Sequence, residues 1–376
     1  FIRRPDLLAS MIRFWNNHPA LSYLFSGRFI GPTSQAPRMD EARVDAVYEM
    51  EIALSQLNTL GENQPPWLVD RLFRDLLVDL TGNTHRTEIC IDKLYSPDSS
   101  TGRLGLVELR GFEMPPNPRM NLAQQLLIRA AIAVFWEKPY QEPMSRWQTT
   151  LYDRFMLPHF VWQDLCDLID DLNRRGATLR SEWFAPQHEF RFPKIGEVTH
   201  QGVQLRLRSG IEPWYVMGEE PGSGGTARYV DSSLERLEIL VDGMDSARYA
   251  VLCNQVRVPM HPTGVQNQYV AGVKYRAWQP PRCLHPTIGI HTPLKLDIVD
   301  LRNRQSIGGC RYHAVHPAGR SHERFPINAS EAESRRAAQF ERATMSGEKF
   351  DIADLPPLAN RCEYPITLDL RRHVCS

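Results

Sequence analysis

The stretch Ser233-Leu-Glu-Arg-Leu-Glu-Ile-Leu-Val-Asp-Gly243 decides how this chain is read. Side chains alternate across a strand, so residues two apart share a face. Arg236 and Glu238 then look one way, and Leu237, Ile239 and Val241 the other, before Asp242-Gly243 turns the chain. A strand ionic on one face and apolar on the other belongs to an antiparallel or mixed sheet buried on one side. Working outward, short strands joined by turn residues are predicted at 187–192, 198–208, 226–231, 233–241, 247–258, 269–278, 293–300 and 307–315. Earlier strands are predicted within Thr84 to Tyr95 and Arg103 to Phe112.

Helical periodicity crowds the first half. Pro5 opens a helix through Trp15, Asp40-Glu41 start one running to about Leu57, and Pro66 begins a third that reaches Leu80 before Gly82 stops it. Arg119 to Trp136 and Arg146 to Asn173 read as further helix, interrupted at Pro158 and ended at Gly176. Ser330 with Glu333 forms a capping box for a last helix over 331–343. Helices collected on one side of such a sheet make an α+β architecture.

Composition narrows the function classes. The 376 residues carry 44 basic and 44 acidic side chains, so bulk charge gives no case for nucleic acid or anionic lipid as a partner. The longest apolar run, Ala130 to Trp136, is too short to cross a bilayer, which argues against a membrane protein. Only six of the basic residues are lysines, leaving 38 arginines, whose planar forks suit carboxylate and phosphate. No lysine follows a glycine, so a phosphate-binding P-loop is excluded. Seven scattered cysteines fit neither a disulfide framework nor a zinc ribbon, and with no export leader the expected compartment is a reducing cytoplasm. A chain that begins with Phe1 reads as a piece of a longer polypeptide.

The face found at Arg236 and Glu238 recurs. Arg86 with Glu88, Glu108 with Arg110, Glu189 with Arg191, and Arg206 with Arg208 are each two apart, with apolar residues such as Ile89, Leu109, Phe190 and Leu207 on the opposite faces. A solvated sheet face would read the same way, although it usually draws on lysine, threonine and serine. Hard cations such as magnesium take a few carboxylates together with substrate phosphates. Glu88, Glu108 and Glu113 are placed to supply such carboxylates, while Arg86, Arg206 and Arg208, with Glu238 beside them, line the face that would steady phosphoryl oxygens. A magnesium-nucleotide site on a sheet face follows as an expectation.

Four segments carry a resemblance. They are Gly31-Pro-Thr-Ser-Gln-Ala-Pro-Arg-Met-Asp-Glu-Ala-Arg43, Asn83-Thr-His-Arg-Thr-Glu88, Glu108-Leu-Arg-Gly-Phe-Glu-Met-Pro-Pro116 and Arg228-Tyr-Val-Asp-Ser-Ser-Leu-Glu-Arg236. Together with Tyr275-Arg-Ala-Trp-Gln-Pro-Pro281 and Gly308-Gly-Cys-Arg-Tyr-His313, they resemble the bacterial putative amidoligase family, a domain of unknown function found C-terminal to transglutaminase-like domains. The likeness spans most of residues 1–345, which implies one domain there with a helical part at 1–82 and a tail, 346–376, packed on it. It implies a glutamine synthetase-like fold and an ATP- and magnesium-dependent carboxylate-amine ligase acting through an acyl phosphate. On that reading Glu88, Glu108 and Glu113 ligate metal, and Arg110, Arg228 and Arg236 hold phosphate or acyl phosphate. Asp231 or Glu235 takes the amine proton. The substrates would be peptide or amino-acid carboxylates and amines, with a transglutaminase-like domain ahead in the same polypeptide. The rival readings are a ligase-like module that has lost catalysis and serves in docking, and a zinc amidohydrolase.

Other constellations carry less. Cys310, His313 and His316 have ligand-like spacing, with Cys283 and His285 as additions, yet histidines at Pro-rich strand ends are more often held by backbone. Gly222-Ser-Gly-Gly-Thr-Ala227 is followed by a strand, which argues against a dinucleotide fingerprint and for a glycine loop beside a site. No GxSxG elbow occurs, and His188-Glu189 lacks the second histidine of a zincin. Trp162, Trp183, Trp214 and Trp278 read as core or rim aromatics.

Overall fold

A computed structural model describes residues 1–26, 46–59, 64–222, 225–314, 325–342, 349 and 364–372. The chain divides into two compact units, Phe1–Phe155 with His159–Arg191 and Glu220–Arg228, and Met156–Pro158 with Phe192–Glu219 and Tyr229–Ser376. Helices and antiparallel sheets together make it an α+β protein. No described helix is long and apolar enough to cross a membrane.

The first unit is largely helical. Pro5–Asn17 buries Leu7, Leu8, Met11, Phe14 and Trp15, and the Phe14 ring meets Phe135 at 5.0 Å and Tyr140 at 5.2 Å. Pro118–Glu137 starts as its sequence dictates, with Pro118 at the first position and Asn117 accepting from the Arg119 N–H. Two helices are shorter than periodicity suggests. Trp67–Phe73 stops well before Leu80, which is left exposed, and Asp79 farther on gathers the N–H groups of Thr81 and Asn83 into a turn. The 146–173 stretch is broken by a 3-10 turn at Arg154–Met156 before Pro158–Arg174 begins.

One expected strand is a helix. Residues 187–192 alternate in sequence, but Ala185–Arg191 is helical, with Gln187 and Arg191 buried one turn apart. Gln187 Nε2 donates to Leu24 O at 3.2 Å and Arg191 Nε to Tyr23 O at 3.0 Å. Phe190, taken for an inward residue, is 47% exposed, and Glu189 and Arg191 do not share a face. The two earliest strands shrink to a short ladder, β1 (Ile89–Cys90) against β2 (Glu108–Leu109), with Thr84–Arg86 a 3-10 turn.

The second unit is built of strands. These are β3 (Lys194–His200), β4 (Val203–Ser209), a hairpin β5 (Val216–Gly222) and β6 (Gly225–Val230) whose tip clusters with the first unit, β7 (Leu234–Asp242), β8 (Tyr249–Cys253), β9 (Val256–Arg257), β10 (His261–Pro262), β11 (Tyr269–Arg276), β12 (Leu294–Asp300), β13 (Gln305–Tyr312), β14 (Phe340–Glu341) and β15 (Thr367–Asp369). One sheet runs β10-β11-β7-β4-β3, with β15 parallel to β11; another runs β14-β13-β12-β8-β9. The apolar faces of both form one core, to which Leu205, Leu207, Leu237, Ile239 and Val241 contribute from the first sheet and Val251, Leu296 and Ile298 from the second. The β7 stretch thus behaves as its alternation requires. The predicted strands 198–208 and 247–258 are each two strands with a turn between.

The last helix begins earlier than its expected capping box. Asn328 Oδ1 accepts from the Glu331 N–H, the Glu331 carboxylate accepts from the Ile327 N–H, and Ala329–Ala337 gives way to β14. Phe340 of β14 lies against Gly196, where an added Cβ would stand 2.4 Å from the ring. Gly196→Val is therefore expected to lift β14 off β13 and cost about 1–3 kcal/mol, read by denaturant titration. Of the expected tail, 364–372 are described, and there β15 extends the first sheet.

Candidate functional site

In the first unit, Ile89 faces Leu109 and Cys90 faces Glu108, and the Arg110 N–H donates to Glu88 O at 2.8 Å, extending the register by one pair. Glu88, Cys90, Glu108 and Arg110 consequently share one face of the ladder, while Ile89 and Leu109 take the other. Arg110 Nη2 donates to Glu108 Oε2 at 2.6 Å, and Lys93 Nζ to Oε1 at 2.5 Å. The Lys93 ammonium, helped by Arg110 and opposed by partial burial, holds the Glu108 carboxyl below its usual range. Arg110 Nε is buried and has no partner among the described residues.

Beside this ladder lies a residue the sequence did not single out. Asp79 is buried, and one of its oxygens, Oδ2, accepts from Arg86 Nη1 at 3.0 Å and from Arg228 Nη2 at 2.8 Å. The other, Oδ1, takes the N–H and hydroxyl of Thr81 and the N–H of Asn83. Burial pushes this carboxyl up, but the donors from Thr81, Asn83 and Arg86 outweigh it and hold it below the usual range. Arg86 is completely buried and Arg228 nearly so. Two of the expected phosphate-binding arginines are thus brought to one carboxylate.

The expected metal ligands are not brought together. Glu88 is buried, Glu108 is engaged by two cations, and Glu113 lies exposed beyond the ladder with its N–H donating to Phe25 O. Among the described residues no three His, Cys, Asp or Glu side chains form a group that could hold a metal ion. The donors present suit an anion better. A buried guanidinium N–H lacking a partner asks for an oxygen, and fork donors match phosphoryl geometry.

In the second unit, Arg236 and Glu238 share the face of β7 that lies away from the core, as read from sequence, yet both are buried. The register sets Arg236 opposite Lys274 of β11, and Glu238 between Arg208 of β4 and Gly272 of β11. Glu212, just after β4, binds Arg236 through Nε and Nη2 at 2.9 Å each and Lys274 Nζ at 2.5 Å. Burial raises this carboxyl, and Lys274 and then Arg236 more than reverse it, so Glu212 stays ionised below the usual range. Arg236 Nη1 also donates to Thr367 Oγ1 at 3.3 Å, which ties β7 to β15. Asp369 and Arg371 form a further pair at 2.7 Å. Arg208 Nη1 donates to Phe192 O, whereas Arg206 stands more open, 3.6 Å from Glu197 and 3.8 Å from Asp242.

Of the two carboxylates expected to accept an amine proton, Asp231 is occupied by backbone. Its Oδ1 accepts from Ser233 N and its Oδ2 from Leu284 N, both at 3.0 Å, so it anchors a loop. Glu235 is buried on the face of β7 that carries Leu237, opposite to that of Arg236. Cys310 is fully buried, and burial with Asp297 nearby pushes its thiol up to about 12, the reverse of what a zinc thiolate needs. His313 pairs with Glu341 at 3.0 Å; His316, like the 31–43 segment and the centre of the 222–227 glycine loop, lies outside the described residues. Asp79 and Glu212 lie outside any alternating stretch and were missed, as was Lys274, which β11 sets opposite Arg236. Only Asp79 left a trace, in the turn-forming order Asp79-Leu-Thr-Gly-Asn83.

No curated protein and no solved structure matches the chain. A family model does, over residues 1–371, which takes in both units and every side chain described above. This α+β chain with its arginine–carboxylate clusters belongs to the family described as "Putative amidoligase enzyme (DUF2126)".

Proposed function

We propose that the protein joins a carboxylate to an amine at the expense of ATP, and that the β1–β2 face of the first unit holds the nucleotide's phosphates. The observation that carries this reading is Arg110. It shares a face with Glu88 and Glu108, and its buried Nε has no partner among the described residues. Family membership supports the amide-forming chemistry. A glutamine synthetase-like arrangement is compatible with a carboxylate- and arginine-bearing strand pair, and is part of the proposal.

The reaction balances in two steps. An oxygen of the substrate carboxylate attacks the γ-phosphorus, its bond to the β,γ-bridging oxygen breaks, and ADP leaves. The amine nitrogen then attacks the acyl carbon, the carbon–oxygen bond to phosphate breaks, and the amine proton passes to a carboxylate base. Arg110 would lend its Nε–H to a phosphoryl oxygen. Asp79 keeps Arg86 and Arg228 fixed, so their donors are set before substrate arrives. Any magnesium carried by the nucleotide would be held mainly by phosphate oxygens and water, since Glu88, Glu108 and Glu113 do not form one group among the described residues. When bound it neutralises phosphate charge.

Hydroxylamine is a small nucleophile that captures acyl phosphates as hydroxamates. With ATP, magnesium and a mixture of amino-acid and peptide carboxylates, the protein is expected to form hydroxamate and ADP in equal amounts. Arg110→Ala should reduce both by about a hundredfold, the scale of losing one charge-stabilising donor. Hydroxamate formed equally well without ATP would contradict the proposal.

A further inference from the structure

Glu108 is held by two cations of unequal freedom. Arg110 Nη2 donates to Oε2 at 2.6 Å from a partly buried side chain, while Lys93 Nζ reaches Oε1 at 2.5 Å from a half-exposed one. An ammonium on a flexible stem makes a weak pair at that exposure, so a more highly charged anion draws it away. Arg110 is the steadier partner. The Nε–H and one Nη–H of a guanidinium leave in parallel along a single edge. On that edge Nη2 is taken by Glu108, and the buried Nε has no partner among the described residues. An anionic oxygen accepted by Nε therefore stands beside the Glu108 carboxylate.

Neighbouring charge then decides what Glu108 can do. Lys93 first, and Arg110 with it, hold its carboxyl below the usual range in the protein without nucleotide, which makes it a poor proton acceptor. Loss of the ammonium and arrival of phosphate oxygens both act the other way. Asp231 has no such movable partner, since the backbone amides of Ser233 and Leu284 hold both its oxygens. We propose that Glu108 is the base for the amine and that nucleotide binding switches it on, the phosphates drawing Lys93 from Oε1 and leaving that oxygen open. This rests on the ligase reading and gives Glu108 a proton to carry in place of the metal ion expected on it. The nitrogen lone pair forms the bond to the acyl carbon, the carbon–oxygen bond to phosphate breaks with its electron pair, and the nitrogen's proton passes to Oε1. As phosphate leaves, Lys93 returns and the proton passes to water.

The test compares two nucleophiles on one acyl phosphate, using the full chain with ATP, magnesium and the mixture of amino-acid and peptide carboxylates. Hydroxylamine captures acyl phosphates without a protein base. In its absence the amines of the mixture are the nucleophile, and amide products are read by mass spectrometry. The ratio of amide to hydroxamate is expected to fall about a hundredfold in Glu108→Gln, the scale of losing a general base. An unchanged ratio in Glu108→Gln, with hydroxamate still formed, would overturn this proposal and leave the ligase reading standing. Absence of ATP-dependent hydroxamate in the wild type would instead remove the ligase reading and this proposal together. Should Glu108→Gln lose its folded spectrum, Glu108→Asp decides in the same two assays. A carboxylate one methylene short should lower the ratio about tenfold, and an unchanged ratio would overturn the proposal.

Discussion

Asp79→Ala is expected to destabilise the protein by about 3–5 kcal/mol, the usual result of removing one partner from a buried ion pair. The cause is specific. Arg86 and Arg228 would lose the oxygen they share, at 3.0 and 2.8 Å, in a site with no water to replace it, because all three side chains are essentially inaccessible. The same substitution removes the acceptor for Thr81 and Asn83, so the turn over 79–83 loses its organiser. Denaturant titration followed by far-UV circular dichroism measures the loss. A change below about 1 kcal/mol, the value of an exposed pair, would show that the cluster is not desolvated as described. Lys93→Ala supplies the comparison, since Lys93 is half exposed and its pairing with Glu108 should be worth no more than that.

Glu212→Ala is expected to have a similar effect in the second unit, again about 3–5 kcal/mol, because Arg236 and Lys274 lose the carboxylate that joins β7 to β11. It also has a pH signature. The folded-state value of Glu212 lies below its unfolded value of about 4.3, so its contribution is complete above that pH and disappears as pH falls through the folded value. Wild-type stability should therefore fall as acid is added below about pH 4, and this part of the slope should be missing in Glu212→Ala. Parallel acid limbs in the two proteins would contradict the assignment.

Much of the second unit was legible in sequence, because its strands have one apolar face that burial cannot disguise. Leu205 and Leu207 on β4, and Leu237, Ile239 and Val241 on β7, point where alternation sends them. The first unit was harder to read. Residues 187–192 alternate as a strand does, yet their burial follows a helical turn, because Gln187 and Arg191 are tied to Leu24 and Tyr23 far away in sequence. Tertiary contacts decided that segment, and local pattern could not.

The ionic residues divide along the same line. Glu108 with Arg110, and Arg236 with Glu238, were readable because a strand displays them two apart. Asp79 and Glu212, which do the bridging, sit in a turn and a proline-flanked loop where no periodicity exists. Asp79 meets Arg228 across 149 positions. The three glutamates expected on one metal are not grouped among the described residues, for a related reason. Shared membership of a strand-rich region does not fix where side chains end, and Glu113 stands beyond the two-residue ladder that carries Glu108.

On the proposed reading, the β1–β2 face of the first unit receives the phosphates of ATP. Isothermal titration of magnesium-ATP into the wild type and into Arg110→Ala tests it most directly. Saturable binding of one nucleotide per chain is expected, weakened at least about tenfold in Arg110→Ala with the fold intact. No saturable binding to the wild type, or equal affinity in the two proteins, would contradict it.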